Sequence, residues 1–287
     1  SASSLSCMYF GESKGQKGDD YVFPQGYIKV FEPIAKTLNI KLNSVVQSVA
    51  QNASQVVVSL VNGQKYTGRY LVCTAPLGVL KKGLIAFNPP LPHDKLASIQ
   101  KAGFGTLDKL IIQFEEVFWP NTTSFYLVSD YPPNKIVFVA NLHKLCGIPA
   151  LMLFVPQSYK EVQPDATKTL SDGLGILSYS FKLKNLEVVS WHLTNWGKEN
   201  HTWGSYSSYA KGCEPQDFKI LARPEGRVYF AGEHTFSENL STVDGAWKSG
   251  LVAASAIQQA IDAGDQPTSP NQQQADNSGN SEGEGDN

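Results

Sequence analysis

The chain has 287 residues, of which 41% are hydrophobic and 17% are charged, and its net charge is −2. This length and composition predict a globular protein with room for two domains. The near-zero charge excludes nucleic-acid binding through bulk electrostatics, and no apolar run reaches the length of a membrane span. The four cysteines are scattered without a C-x-x-C pair, so we expect neither a disulfide framework nor a metal site, and the compartment stays open.

The predicted elements alternate between strands and helices along most of the chain. Apolar positions at helical spacing predict helices over 27–38, 93–101 and 164–181 and one that starts near residue 243. Alternating or continuous apolar runs predict strands over 40–49, 55–61, 70–73, 107–114, 125–128, 136–141, 151–155, 188–196 and 228–231. Residues 103–106 are predicted as a turn. Consecutive strands with short turns in the middle of the chain indicate an antiparallel sheet.

Lys109 is an unusual residue in its predicted strand. Alternation places Leu107, Lys109 and Ile111 on one face and Asp108 and Leu110 on the other. A lysine with apolar neighbours on its own face lies either at a sheet edge, where its ammonium reaches water, or in a polar pocket. The pattern alone favours the edge.

The C-terminal stretch 226–260 predicts a buried strand, a tight turn, a polar loop and a helix. Ser241 or Thr242 is the expected N-cap of that helix. Gly245 and Gly250 weaken a helix interior, which indicates that something packs very close to the backbone there. The free N–H groups at the amino end of this helix suit an electron-rich ligand.

Several motifs carry a resemblance to a known family. The segments Ala231–Thr235 (AGEHT) and Thr242–Trp247 (TVDGAW), with Ser249-Gly250 following, resemble the C-terminal flavin-binding signature of the flavin-containing amine oxidases. That family includes polyamine oxidases, monoamine oxidases and lysine-specific histone demethylases. The runs KLNSVVQSV, LVCTAPLGVLK and GFGTLDKLIIQFEEVFW are similar to other family segments. The resemblance covers roughly residues 20–262 and implies FAD as cofactor.

The resemblance also implies roles for individual residues. Lys109 matches the family lysine that holds a water against the flavin N5, and Tyr206 matches one aromatic wall around the substrate amine. Thr242 stands where many relatives have a second tyrosine, so the aromatic cage is one-sided, which argues against a monoamine oxidase. His234 is expected to be structural. The positions that the resemblance places at the cofactor are Val46, Thr74, Pro76, Trp196, Gly232, Glu233, Thr242, Val243 and Ala246.

The implied fold is mixed α/β. A loop over 1–20 precedes a partial, Rossmann-like FAD-binding domain formed by 21–80 and 206–262. Residues 81–205 are expected to form a substrate domain with a mixed, largely antiparallel sheet flanked by helices. The remainder, 263–287, is polar and acidic and is predicted to be disordered.

The dinucleotide motif of this fold is missing. Gly103-Phe104-Gly105 and Gly173-Leu174-Gly175 both lack the third glycine of G-x-G-x-x-G, and neither follows a strand and opens a helix as that motif requires. The sequence is therefore interpreted as a fragment or truncated product of a family member.

The implied activity is oxidation of a small-molecule amine, with a polyamine as the favoured substrate. In this mechanism a hydride passes from the carbon beside the neutral amine to flavin N5, the imine hydrolyses, and O₂ is reduced to hydrogen peroxide. An L-amino-acid oxidase and a lysine demethylase remain as alternatives. A non-catalytic remnant that acts as a binding module is the alternative of another class.

Overall fold

The computed structural model describes residues 5–9, 21–129, 135–156 and 165–264. Most of the predicted N-terminal loop and the predicted disordered stretch 265–287 lie outside the described residues. The strands are β1 Val46–Gln51, β2 Val56–Leu60, β3 Lys65–Gly68, β4 Leu71–Cys73, β5 Ala86–Asn88, β6 Gly103–Gly105, β7 Leu107–Phe114, β8 Ser124–Ser129, β9 Lys135–Asn141, β10 Ala150–Pro156, β11 Val188–Leu193, β12 Tyr206–Ser208 and β13 Val228–Phe230. The helices are α1 Ile28–Ala35, α2 Leu77–Lys81, α3 His93–Lys101, α4 Leu142–Cys146, α5 Ala166–Phe181, α6 Pro215–Ala222 and α7 Val243–Asp262.

The mixed α/β prediction is confirmed, and two local predictions are wrong. Residues 40–45 are not a strand, because their apolar side chains stay in solvent; Leu42 is 80% exposed. Residues 103–105 form β6 instead of a turn. At Gly103 a Cβ would lie 2.8 Å from the Ser208 carbonyl oxygen, so glycine permits the close pairing of β6 with β12. Helix α4 was not predicted.

One compact unit contains 21–41, 105–129, 135–156 and 165–205 among its described parts. Its sheet has the strand order β11-β7-β10-β9-β8, and every neighbouring pair is antiparallel. One face of this sheet packs against α5 and forms a core. The core contains Leu110, Ile112, Phe114, Leu127, Val139, Leu151, Leu153, Ile176 and Leu177. Burial along β7 alternates strictly, as the sequence pattern predicts.

The second unit contains 42–104 and 206–264 among its described parts. It holds a four-stranded sheet in the order β3-β2-β1-β5 and a parallel pair of β4 and β13. The boundary at 104 lies beyond the 81 that the sequence suggested, and 21–41 group with the other unit. The assignment of these segments to a flavin domain and a substrate domain remains a prediction.

A buried lysine joins two helices of the second unit. Lys95 lies on α3 and is 1% exposed. Its Nζ donates to the carbonyl oxygens of Ile220, Leu221 and Arg223 at 2.8, 3.0 and 2.6 Å, at the carboxyl end of α6. Lysines suit this position because the last carbonyls of a helix lack intrahelical donors. Glu225 lies 3.6 Å from the same Nζ.

The described ranges yield two findings on ligands and membranes. They contain no helix that is both long and apolar enough to cross a bilayer. Within the same ranges, no three His, Cys, Asp or Glu side chains come together as a metal site.

Candidate functional site

Lys109 lies in an interior strand of its sheet. Strand β7 has β11 on one side and β10 on the other, so the edge interpretation of Lys109 is wrong. The side chain is partly buried, and its Nζ donates to the Leu107 carbonyl oxygen at 3.2 Å. Burial lowers the pKa of Lys109, and the nearby Asp108 carboxylate opposes this shift.

Asp108 organises the backbone around Lys109 from the opposite face of the strand. It is 0% exposed. Its Oδ1 accepts hydrogen bonds from the Thr194 hydroxyl at 2.8 Å and from the Trp196 backbone N–H at 2.9 Å. The Thr194 oxygen in turn accepts from the Lys109 backbone N–H at 2.8 Å. These bonds fix the end of β11 and the following turn against the strand that carries Lys109.

Trp196 is brought next to this cluster. It begins a 3₁₀ turn over Trp196–Lys198, and its side chain is 37% exposed. The next residue, Gly197, packs so tightly on Thr106 that an added Cβ would lie 3.1 Å from a methyl carbon. Hydrogen bonds through Asp108 and Thr194 therefore connect the backbones of Lys109 and Trp196 within the same unit.

Two predicted cofactor segments leave the same edge of the parallel pair in the second unit. Phe230 of β13 pairs with Cys73 of β4, so Thr74 and Ala231 follow at the carboxyl ends of the strands. Gly232 then has a φ of 134°, a conformation that favours glycine. Pro76, two residues after Thr74, is the N-cap of α2.

Val46 lies in the other sheet of that unit. It is the first residue of β1, pairs with Leu60 and is partly buried against the unit's core. The register of β1 and β2 shifts directly after Val46.

Glu233 connects the turn after β13 to β12 and to the residue before the N-cap of the last helix. Its carboxylate accepts the Ser207 hydroxyl and the Ser207 backbone N–H, the latter at 3.3 Å, and it accepts the Ser241 backbone N–H at 3.0 Å. Burial raises the pKa of Glu233, while these donors oppose the rise. Its carboxylate therefore has a clear positioning role within the chain itself.

The last helix begins as predicted. Thr242 is its N-cap: the side-chain oxygen accepts from Gly245 N–H at 3.1 Å and the hydroxyl donates to the Asn239 carbonyl oxygen at 2.7 Å. Val243 is 47% exposed, and Ala246 is partly buried one turn into the helix. The amino end of α7 thus offers exposed backbone and a positive dipole end.

The two helix glycines differ in what surrounds them. A Cβ on Gly245 would lie 2.0 Å from the Asn239 carbonyl oxygen, whereas a Cβ on Gly250 would meet nothing within 4 Å. The expected close approach is confirmed at Gly245 and is made by the chain's own 3₁₀ turn over Ser237–Asn239. At Gly250 the expectation of a close neighbour is wrong.

We expect Gly245→Ala to destabilise the protein and Gly250→Ala to stabilise it. The first places a methyl group against a backbone oxygen that cannot move independently, so the free energy of unfolding should fall by about 3 kcal/mol. The second gains helix propensity in open space, which is worth about 0.5–1 kcal/mol. Urea unfolding of both variants checks this pair; equal effects at the two glycines would contradict it.

Tyr206 begins β12 in the second unit and is 41% exposed. Burial of its hydroxyl end raises its pKa.

His234, in the turn after β13, is 2% exposed, and burial lowers its pKa to about 4. Its burial agrees with a structural role.

His234 makes the stability of the second unit depend on pH. Its pKa of about 4 in the folded state lies below the ordinary histidine value of 6.5, so the unfolded chain binds more protons between these values. The free energy of unfolding should fall by up to about 3 kcal/mol as the pH drops from 6.5 to 4. Urea titrations at pH 7 and pH 4.5 measure this loss.

His234→Gln removes the titrating group and should reduce that loss clearly. The exposed His93→Gln serves as the matched control. An unchanged pH slope in His234→Gln would show that other groups carry the acid sensitivity.

A family model described as flavin containing amine oxidoreductase matches residues 1–258. The chain belongs to this family. This chain is 32% identical over 234 residues to polyamine oxidase 5 of Oryza sativa subsp. japonica, covering 80% of this chain and 46% of that protein. It is 31% identical over 255 residues to polyamine oxidase 2 of Arabidopsis thaliana, covering 88% and 52%.

A third relative carries a different name. Lysine-specific histone demethylase 1 homolog 3 of Arabidopsis thaliana is 30% identical over 270 residues, which cover 88% of this chain and 17% of that protein. The chain spans about half the length of the polyamine oxidases it matches and a smaller part of the demethylase homologue.

FAD is the cofactor that this family implies, and the residues present fit part of it. The carboxyl ends of β4 and β13 and the exposed amino end of α7 are the kinds of backbone that bind nucleotides and flavins. Thr74, Gly232 and Val243 would contact the cofactor there. A glycine-rich loop for the pyrophosphate is not found in the sequence.

Three residues that hold predicted site residues in place were not singled out from the sequence: Asp108 and Thr194 beside Lys109 in one unit, and Ser207 beside Glu233 in the other. Asp108 had a detectable signal, because strand alternation already placed a charge on the face that carries Leu110 and Ile112. A charge at such a position needs hydrogen-bond partners. Thr194 and Ser207 had no comparable signal, since their roles depend on contacts across the sheet and the loops.

Proposed function

We propose that the protein containing this chain is an FAD-dependent oxidase of amines, with polyamines as its substrate class. The observation that carries the proposal is the interior position of Lys109, where Asp108 and Thr194 hold its backbone beside Trp196. The matches to two polyamine oxidases over 80% or more of the chain support the substrate class.

The roles of the chain's residues follow from their chemistry. Bound FAD would accept a hydride from the carbon beside the amine and would then pass both electrons to O₂, which is reduced to hydrogen peroxide. Lys109 donates a hydrogen bond to a water and so positions it at the reacting end. Tyr206 offers an aromatic surface that favours an amine and aligns its reacting carbon, and Trp196 would contact the cofactor. The amino end of α7 stabilises negative charge that develops nearby.

A panel of amines tests this function. Peroxide release should be measured on the flavin-loaded protein with spermidine, spermine, benzylamine, an N-methylated lysine peptide and an L-amino acid. The proposal predicts the highest kcat/KM for spermidine or spermine. Preference for the methylated peptide would favour a demethylase, and preference for the amino acid an amino-acid oxidase. No peroxide with any of them would support a non-catalytic binding module and contradict the proposal.

A further inference from the structure

Three aromatic side chains form a row across the sheet that carries Lys109. Tyr126 of β8 pairs with Phe138 of β9, and Lys109 of β7 pairs with Phe154 of β10. The ring centroids of Tyr126 and Phe138 are 5.2 Å apart, and those of Phe138 and Phe154 are 4.9 Å apart. The Lys109 Nζ lies 5.6 Å from the centre of the Phe154 ring. The aromatic row therefore ends at Lys109.

The aromatic row is not part of the unit's hydrophobic core. The core lies on the opposite face, where Leu110, Leu127 and Leu153 pack against α5. Tyr126 is 67% exposed, and Phe138 and Phe154 are partly buried. Three large rings on the lysine face are thus available for a purpose other than packing on the helix.

The chemistry of the row suits cations. The negative face of an aromatic ring attracts an ammonium within about 6 Å of its centre, and the protein's own Lys109 already occupies such a position at Phe154. A second cation would be repelled from that end of the row. A ligand with two amines is therefore best accommodated with a charged nitrogen near Tyr126 and Phe138 and a neutral one near Lys109. A neutral amine is the form that can lose a hydride from its neighbouring carbon.

The spacing of the row also matches one class of amine. The strands set the rings about 5 Å apart. Four bonds of about 1.5 Å in an extended zigzag place two nitrogens on a three-carbon segment at about 5 Å as well. Successive nitrogens of a linear polyamine can therefore follow successive rings.

We propose that Tyr126 and Phe138 bind the distal, charged end of a linear polyamine, and that its chain passes Phe154 to place the neutral, reacting amine near Lys109. This inference rests on the proposed function for the reacting end, but the binding it predicts can be measured without flavin turnover. It makes the aromatic row the determinant that separates polyamines from shorter amines and monoamines.

Calorimetric titration of the chain with spermidine tests the proposal. Tyr126→Leu and Phe138→Leu keep an apolar side chain but remove the aromatic face, so each should weaken spermidine binding about 3- to 30-fold. Tyr126→Phe keeps the face and should bind within about two-fold of the original chain. Tyr66→Leu, at a 42% exposed tyrosine on β3 of the other unit, is the matched control and should bind unchanged. The neutral diol 1,8-octanediol should not compete.

The outcomes separate this proposal from the oxidase function. Absence of saturable spermidine binding, or unchanged affinity in Tyr126→Leu and Phe138→Leu with circular dichroism like that of the original chain, overturns the aromatic row as a binding site. If the flavin-loaded protein oxidises spermidine with the same KM in both leucine variants, the oxidase function is supported and the aromatic row is overturned as a binding site. If the leucine variants lose affinity for spermidine but the flavin-loaded original protein forms no peroxide, the aromatic row is supported as a polyamine site and the oxidase function is overturned.

Discussion

Replacing Lys109 by methionine is expected to slow oxidation of the amine by about 100-fold or more in the flavin-loaded protein. Methionine has nearly the length of lysine and fits a partly buried strand position, so the fold should persist. The variant loses the ammonium that, in the proposed mechanism, donates to a water at the reacting end. Stopped-flow absorbance at the visible flavin band measures reduction by spermidine without oxygen and reoxidation on adding it, and at least one of the two should slow.

Lys144→Met is the matched control for this experiment. Lys144 is an exposed lysine on α4 of the same unit, and its ammonium lies outside the proposed site. Its replacement should leave both flavin steps unchanged. Original rates of reduction and reoxidation in Lys109→Met would remove this lysine from the mechanism.

Replacing Lys95 by methionine is expected to lower the free energy of unfolding by about 3 kcal/mol, because three buried or partly buried carbonyl oxygens at the end of α6 lose their donor. Glu225 keeps Arg223 as a partner at 2.9 Å, so its charge is not left alone. Urea unfolding at pH 7 measures the loss.

Lys81→Met provides a matched comparison. Lys81 donates to the carbonyl oxygens of Ile99, Gln100 and Ala102 at the end of α3, but it is partly exposed. Water can replace its ammonium, so its removal should cost about 1 kcal/mol. Equal losses in the two variants would contradict burial as the reason for the larger effect.

The pH dependence of the Lys95 effect has a defined sign. Burial lowers the pKa of Lys95 to about 8 from 10.5, so the unfolded chain binds more protons between these values. The stability of the original chain relative to Lys95→Met should therefore rise as the pH increases from 8 to 10.5. If the stability difference between the original chain and Lys95→Met instead shrinks from pH 8 to 10.5, folding favours the charged form of Lys95 over the neutral amine.

Local patterns predicted the elements that bury one face. Strict alternation in β7 placed Lys109 and Asp108 on opposite faces, and the structure has them there. The capping residue Thr242 predicted the start of α7. The glycine that follows strand β13 predicted the turn after that strand. These features depend on neighbouring residues, so one sequence is sufficient to recognise them.

Features that depend on distant partners were missed or misjudged. The strand pattern alone favoured an edge position for Lys109, whereas the resemblance favoured a functional one. The pattern misjudged the position because a strand's own sequence does not reveal its neighbours, and β11, which covers one side, follows more than 70 residues later. The sequence of Gly103–Gly105 is typical of a turn, but the segment forms a strand because it pairs with β12, which contains Ser208. The anchoring of Glu233 by Ser207 and Ser241 likewise requires loops that are remote in the chain.

The resemblance supplied what local patterns could not. Nothing in the spacing of Thr74, Gly232 and Val243 along the chain indicates a shared cofactor. The parallel pairing of β4 with β13 brings the first two segments to one sheet edge, which is the location expected for a nucleotide in such folds.

The measurement that tests the account most directly is the visible spectrum of the purified native protein before and after anaerobic addition of spermidine. We predict the absorption bands of oxidised flavin at the start and their bleaching by spermidine, with peroxide formed when air is admitted. A protein that carries no flavin, or a bound flavin that every amine of the panel leaves oxidised, would contradict the proposed amine oxidation.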